Sequence, residues 1–250
     1  RNPMDMIGSC IHEGGHALYE LGLPIAQYGL PLGMAPSLGI HESQSRLWEN
    51  HIGLSRAYWG ANFEAFQRAF PTPTAGISVE HFYRAINQIA PNFIRTNADE
   101  LHYHLHVLIR YDLEKGLIEG QYQVADLETL WNERYQDYFQ LTVPDAKQGI
   151  LQDVHWAEGL FGYFPTYSLG SFYAAQFYAK AQADIPELER EISRGNCQPL
   201  LTWLRQNIHQ YGQKYTSGEL CERVTGQPLT FDYFLQHIRR KYSDIYEIDL

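Results

Sequence analysis

The sequence predicts a mainly α-helical fold with at most one short β-hairpin, on three observations. Apolar residues recur at three- and four-residue spacing through most of the chain. Alternating strand patterns are scarce. Gly and Pro concentrate in residues 22–40, where they specify loop rather than regular structure. A chain of 250 residues can bury one substantial core or two small ones. With no repeat, low-complexity tract or clear linker, residues 1–250 are expected to form a single helical domain.

The elements follow in order. Asp5 can cap a first helix after Pro3, whose apolar face is Met6, Ile7, Cys10, Ile11, Leu18 and Leu21, and Gly22 and Pro24 end it. Residues 22–40 form a loop that encloses a short strand pair around Ile25–Leu30. A second helix starts near Ile40 and runs on through HESQSRLWENHIGLSRAYW to Trp59. After a loop at Pro71–Gly76, Ser78 precedes a helical stretch at 79–90. Helical periodicity returns over Ala98–Lys115, Val124–Phe139 and Leu169–Ala183, with shorter candidates at Pro186–Arg194, Pro199–Tyr211 and Phe231–Tyr242.

Composition excludes some function classes. The formal net charge of −10 argues against a nucleic-acid surface. No run of eighteen or more apolar residues is present, as a membrane-spanning helix would need. Cys10, Cys197 and Cys221 are odd in number and widely spaced, giving neither a disulfide framework nor a CxxC metal site. They fit idle thiols in a reducing compartment, and with no signal peptide visible a cytoplasmic location is expected.

One segment carries chemistry. In HEGGH, His12 and His16 lie four residues apart, so a helix puts both imidazoles on one face within reach of a single ion. Glu13 lies to the side, placed to act as general base on water at that ion rather than to bind it. Gly14 and Gly15 each cost about 1 kcal/mol in a helix interior, so the segment points to close approach of backbone or substrate, or to a packing device. A catalytic zinc needs a third protein ligand and an open position. Glu42 in HESQSR is the leading candidate and His41 its competitor, since neighbours on a helix point about 100° apart. Arg46 can pair with Glu42 at i,i+4 and steady it, unless that pair is only a solvated surface contact.

HEGGH (12–16), HESQSR (41–46), IRTNAD (94–99) and GILQDVHW (149–156), with FGYFPTYSLG at 161–170, resemble the motifs of the carboxypeptidase Taq family of metallocarboxypeptidases. The resemblance covers most of the chain. It implies a helical zincin-like domain, Zn²⁺ with Co²⁺ as a substitute, removal of single C-terminal residues from peptides, and a homodimer. By motif match His12, His16 and Glu42 are the ligands and Glu13 the base. The family's upstream HPF and DxRxT motifs have no counterpart, so the chain resembles the C-terminal catalytic half alone. A zinc endopeptidase, and a weakly active or inactive metal-binding relative serving as an interaction domain, are the competing readings.

A carboxypeptidase must hold a free terminal carboxylate, for which Arg is the natural bidentate partner. Arg95 in IRTNAD is the candidate; its bland role is an i,i+4 ion pair with Asp99. Gln152, Asp153 and His155 form a polar group beside Trp156, which either contacts substrate, with His155 as donor, or holds the cleft wall. Tyr167, and after it Tyr163, are candidate oxyanion donors. His102 and His106 share the spacing of a metal pair but lack a carboxylate in the water-activating position, and a surface role is expected for them. His51, His81, His209 and His237 are expected to be structural or solvated, and Arg239, Arg240 and Lys241 to form a solvated helix end.

Overall fold

The computed structural model describes residues 3–250. Helix α1 (Pro3–Glu20) carries Asp5 in its first turn and closes with the Leu21 amide donating to the Ala17 carbonyl. The strand pair expected around Ile25–Leu30 does not form. That stretch makes two single 3₁₀ turns, Ile25–Gln27 and Pro31–Gly33. Pro24 and Pro31 have no amide to donate, and the amides of Gln27, Leu30 and Gly33 bond three residues back. The backbone groups a hairpin needs are thus used locally, and no strand occurs among the described residues.

The single second helix expected from Ile40 to Trp59 is in fact three pieces. Ser37 caps α2 (Leu38–Arg46) by accepting from the Ile40 amide at 3.1 Å. The chain then widens into a π-helical run, Leu47–Gly53. Ser55 starts a new helix, α3 (Arg56–Ala69), by accepting from the Tyr58 amide. Helix α4 (Val79–Ile86), capped by Ser78, is shorter than its apolar pattern suggested. Helix α5 (His102–Ile118) begins later than expected because Asp99 accepts from the amides of Leu101 and His102. Helix α6 spans Leu127–Phe139, α7 Pro165–Asp184, α8 Leu188–Ser193 and α9 Gln198–Asn207. Helix α10 (Ser217–Thr225) was not anticipated, and α11 covers Asp232–Tyr246.

Contacts divide the chain into two compact units, one running up to Asn87 and resuming at Leu169–Leu250, the other Gln88–Ser168. In the first unit Tyr19 of α1, Ile40 of α2, Leu47 and Ile52 of the π-helical run and Phe177 of α7 are buried in one core with Leu200 and Leu204 of α9. A satellite core of Trp59, Phe63, Phe66 and Phe82 joins α3 to α4. Each such side chain contributes about 1.5–3 kcal/mol by leaving water. In the second unit Ile109 and Leu113 of α5 pack with Leu127, Trp131, Tyr135 and Phe139 of α6.

Candidate metal centre

Helix α1 holds His12 and His16 one turn apart, and α2 brings Glu42 against them. The Glu42 Oε2 atom lies 3.7 Å from His12 Nε2 and 3.4 Å from His16 Nε2, with one donor atom from each residue within 4.8 Å of the others. Ligands about 2.0–2.1 Å from a tetrahedral zinc are separated by about 3.3 Å, so two nitrogens and one carboxylate oxygen at these spacings fit such an ion. Glu13, the next residue after His12, is exposed.

Two glycines allow this approach. A Cβ on Gly15 would stand 2.6 Å from the Ser45 Cα, so only a bare backbone lets α1 and α2 cross here. A Cβ on Gly170, in α7, would stand 2.5 Å from the Glu42 Cγ. Gly14 has nothing within 4 Å of where its Cβ would lie. The glycine pair of HEGGH therefore divides: Gly15 is a packing device, whereas Gly14 borders open space.

The far sides of the two imidazoles are held too. His12 Nδ1 lies 2.8 Å from Glu49 Oε2 in the π-helical run. His16 Nδ1 lies 2.6 Å from His41 Nδ1, and His41 Nε2 is 2.8 Å from Glu20 Oε1. With each Nδ1 so engaged, both Nε2 atoms are left toward Glu42, the arrangement that fixes ring orientation in metal-binding histidines. His41 thus meets His16 on the nitrogen turned away from Glu42. Arg46 donates from Nε to Glu42 Oε1 at 2.8 Å and from Nη1 to Glu49 Oε2 at 3.1 Å. This pair is no solvated contact, because Glu42 is buried. Burial opposes ionisation of Glu42, but the bond to His16 and the charges of Arg46 and His12 outweigh it and bring its carboxyl down to about 2. Sequence reasoning missed Glu49, Glu20 and Gly170. The spacings were available: Glu49 follows Arg46 by three residues and Glu20 follows His16 by four.

The other candidates lie in the second unit. Arg95 is buried and fully engaged: Nη2 donates to Asp153 Oδ1 at 2.7 Å, Nε to both oxygens of Asp153, and Nη1 to the Tyr103 hydroxyl at 2.7 Å. The alternative role for Arg95, an ion pair with Asp99, is not formed, since Asp99 instead meets His102 Nδ1 at 2.7 Å and caps α5. Arg110, fully buried, also donates to Asp153. Asp153 loses solvation by burial, yet the two guanidinium groups hold its carboxyl below the usual range. Gln152 accepts from the Arg95 amide at 2.8 Å and donates to the Phe93 carbonyl at 2.8 Å. His155 Nε2 lies 2.8 Å from the Tyr167 hydroxyl, and the His155 ring is 4.2 Å from Phe164 and 5.4 Å from Tyr163. His106 meets the Tyr135 hydroxyl at 2.9 Å in the core, so the surface role expected of it is replaced by a buried one. Among the described residues, His12, His16 and Glu42 form the one group of His, Cys, Asp or Glu side chains spaced to hold a metal.

The same elements recur in known proteins. The sequence profile of the carboxypeptidase Taq (M32) metallopeptidases matches residues 1–242. The chain belongs to that family. It is 46% identical over 236 residues to thermostable carboxypeptidase 1 of Thermus thermophilus, covering 94% of this chain and 46% of that protein. The crystal structure of the M32 carboxypeptidase from Deinococcus radiodurans R1 matches with a TM-score of 0.96 at 45% identity, over 99% of this chain and 50% of that one. Metallocarboxypeptidase 1 of Trypanosoma cruzi matches with a TM-score of 0.88 at 36% identity, over 94% and 49%. The M32 chain thus spans about half the length of the relatives it matches. No helix of the described residues is long and apolar enough to cross a membrane.

Proposed function

We propose that the chain supplies the metal centre of a zinc-dependent carboxypeptidase, with peptides bearing a free C-terminus as substrates. The observation that carries this reading is the triad of His12, His16 and Glu42, whose two imidazoles are fixed from behind by Glu49 and by His41 with Glu20. Zn²⁺, or Co²⁺ in its place, supplies a Lewis acid that polarises a carbonyl and acidifies water. Glu13, exposed beside the first ligand, takes the proton from the attacking water and returns it to the leaving amine. His155 and Tyr167, already hydrogen-bonded to each other, serve as donors to the developing oxyanion, with Tyr163 and Gln152 contacting substrate. Arg95 contributes attraction for the terminal carboxylate. Its fork is occupied by Asp153 and Tyr103, but Arg95 and Arg110 share one carboxylate and leave an excess of positive charge. The enzyme is a homodimer, and its place is the cytoplasm.

The test is release of a free amino acid. The zinc-loaded chain is expected to trim a short peptide by one residue and to leave the same peptide intact when its C-terminus is amidated. Equal cleavage of the amidated peptide would make it an endopeptidase. Glu13→Gln is expected to keep its zinc and lose release; unchanged release would remove Glu13 from the mechanism. Because the chain spans about half of its relatives' length, zinc binding without any release would favour a metal-binding relative.

A further inference from the structure

A second polar cavity, of about 320 Å³, lies in the first unit and has no part in the metal centre. It is bounded by the end of the π-helical run, the start of α3 and the later turns of α7 and α11. Asn50 lines it, is more than nine-tenths buried, and its side-chain amide makes no hydrogen bond with any described residue. That amide can therefore donate to a ligand seated in the cavity. The start of α3 faces the same space through Ser55, Arg56 and Ala57. The first amides of a helix have no carbonyl one turn back, and they carry the positive end of its dipole.

The remaining lining is rich in donors and cations. His51 stacks on Tyr178 with ring centroids 4.9 Å apart and lies 4.3 Å from the ring of His237. Burial pushes the Tyr178 phenol up, so it stays a protonated donor. Lys241, which is buried, and Arg240 complete that wall on α11. The two carboxylates present, Glu189 and Asp244, are exposed, and Asp244 accepts from Arg56 Nη2 at 2.8 Å. Donors therefore dominate the interior, while the two carboxylates are exposed and one of them, Asp244, is paired with Arg56.

We propose that this cavity is a binding site for a small oxyanion, a carboxylate or a phosphate, seated on the Asn50 amide, the first turn of α3 and the Arg240–Lys241 wall. Helix N-termini with converging donors are the common protein solution for such ligands. The reading is independent of the peptidase assignment.

Calorimetric titration of the metal-loaded chain with inorganic phosphate and, separately, with acetate tests it. Saturable binding of at least one is expected, and which one binds identifies the source of the oxyanion. Asn50→Asp, which keeps the shape but adds a negative charge, and Arg240→Ala, on the exposed wall, are each expected to weaken binding about tenfold or more, as for loss of a charge-assisted hydrogen bond. Both variants are expected to keep the parent's metal content and helical circular dichroism. Three outcomes overturn the site: no saturation by either anion at millimolar concentration, equal binding in both variants, or binding that vanishes when the metal is chelated.

Discussion

Gly170 and Glu42 touch so closely that a methyl group on the glycine would stand 2.5 Å from the Glu42 Cγ. The third candidate ligand is thus placed by the absence of a side chain on a helix more than a hundred residues away in sequence. Gly170→Ala is expected to push the Glu42 carboxylate off the triad and lower zinc affinity by about tenfold or more, on the scale of a lost supporting contact. Competition with a chromophoric chelator measures this. Unchanged affinity would show that α2 can shift without cost.

The two glycines of HEGGH are expected to respond in opposite directions. Gly14→Ala fills open space and gains about 1 kcal/mol of helix propensity, so urea unfolding moves to higher concentration. Gly15→Ala drives a methyl group into the Ser45 backbone and is expected to destabilise by about 1–3 kcal/mol. Equal shifts in the two variants would refute the division between packing and open space.

Glu49→Gln keeps the shape of the partner on His12 Nδ1 but removes its charge. Metal affinity is expected to fall about 10–100-fold, the usual loss when such a partner is changed. His12 remains present, so the metal-to-protein ratio at saturation stays at one ion per chain. Parent-like affinity would mean that Glu49 serves only Arg46.

Two buried histidines set an acid limit on stability. Burial, together with nearby arginines, lowers His106 and His209 from 6.5 to about 3. In the unfolded chain both take up a proton as pH falls through about 6.5, while the folded chain keeps them neutral, so the unfolded state binds more protons. Their contribution is fully present above about pH 6.5 and is lost progressively toward pH 3. Near pH 5 each is expected to cost up to about 2 kcal/mol. Urea titrations at neutral and mildly acidic pH measure the loss, and His106→Gln is expected to flatten the second unit's share of it. A flat pH dependence in the parent chain would contradict the burial of both rings.

Much of this was legible in the sequence, and the gaps have physical causes. Helix existence followed from apolar spacing, which α5, α6 and α7 satisfy over long stretches. Boundaries failed where a side chain intervened: Ser55 restarts a helix that periodicity alone would continue, and Asp99 delays another. Helix α10 carries a legible signal that was passed over, the reciprocal cap between Thr216 and Glu219. In the metal centre, spacing along one helix pointed to His12 and His16. Glu49 escaped although its i,i+3 spacing from Arg46 was available, because Arg46 was read against Glu42 alone. Arg95 drew attention to its nearest carboxylate, Asp99, whereas its partner Asp153 lies 58 residues on, beyond any local rule.

The Arg46 guanidinium spans Glu42 and Glu49, so the two carboxylates around the triad are never left facing each other alone. Glu42 is the carboxylate that faces both imidazoles, and Glu49 is the one behind His12. One side chain therefore ties α2 to the π-helical run at the site itself. A change at Arg46 would loosen two of the three candidate ligands at once, Glu42 directly and His12 through Glu49.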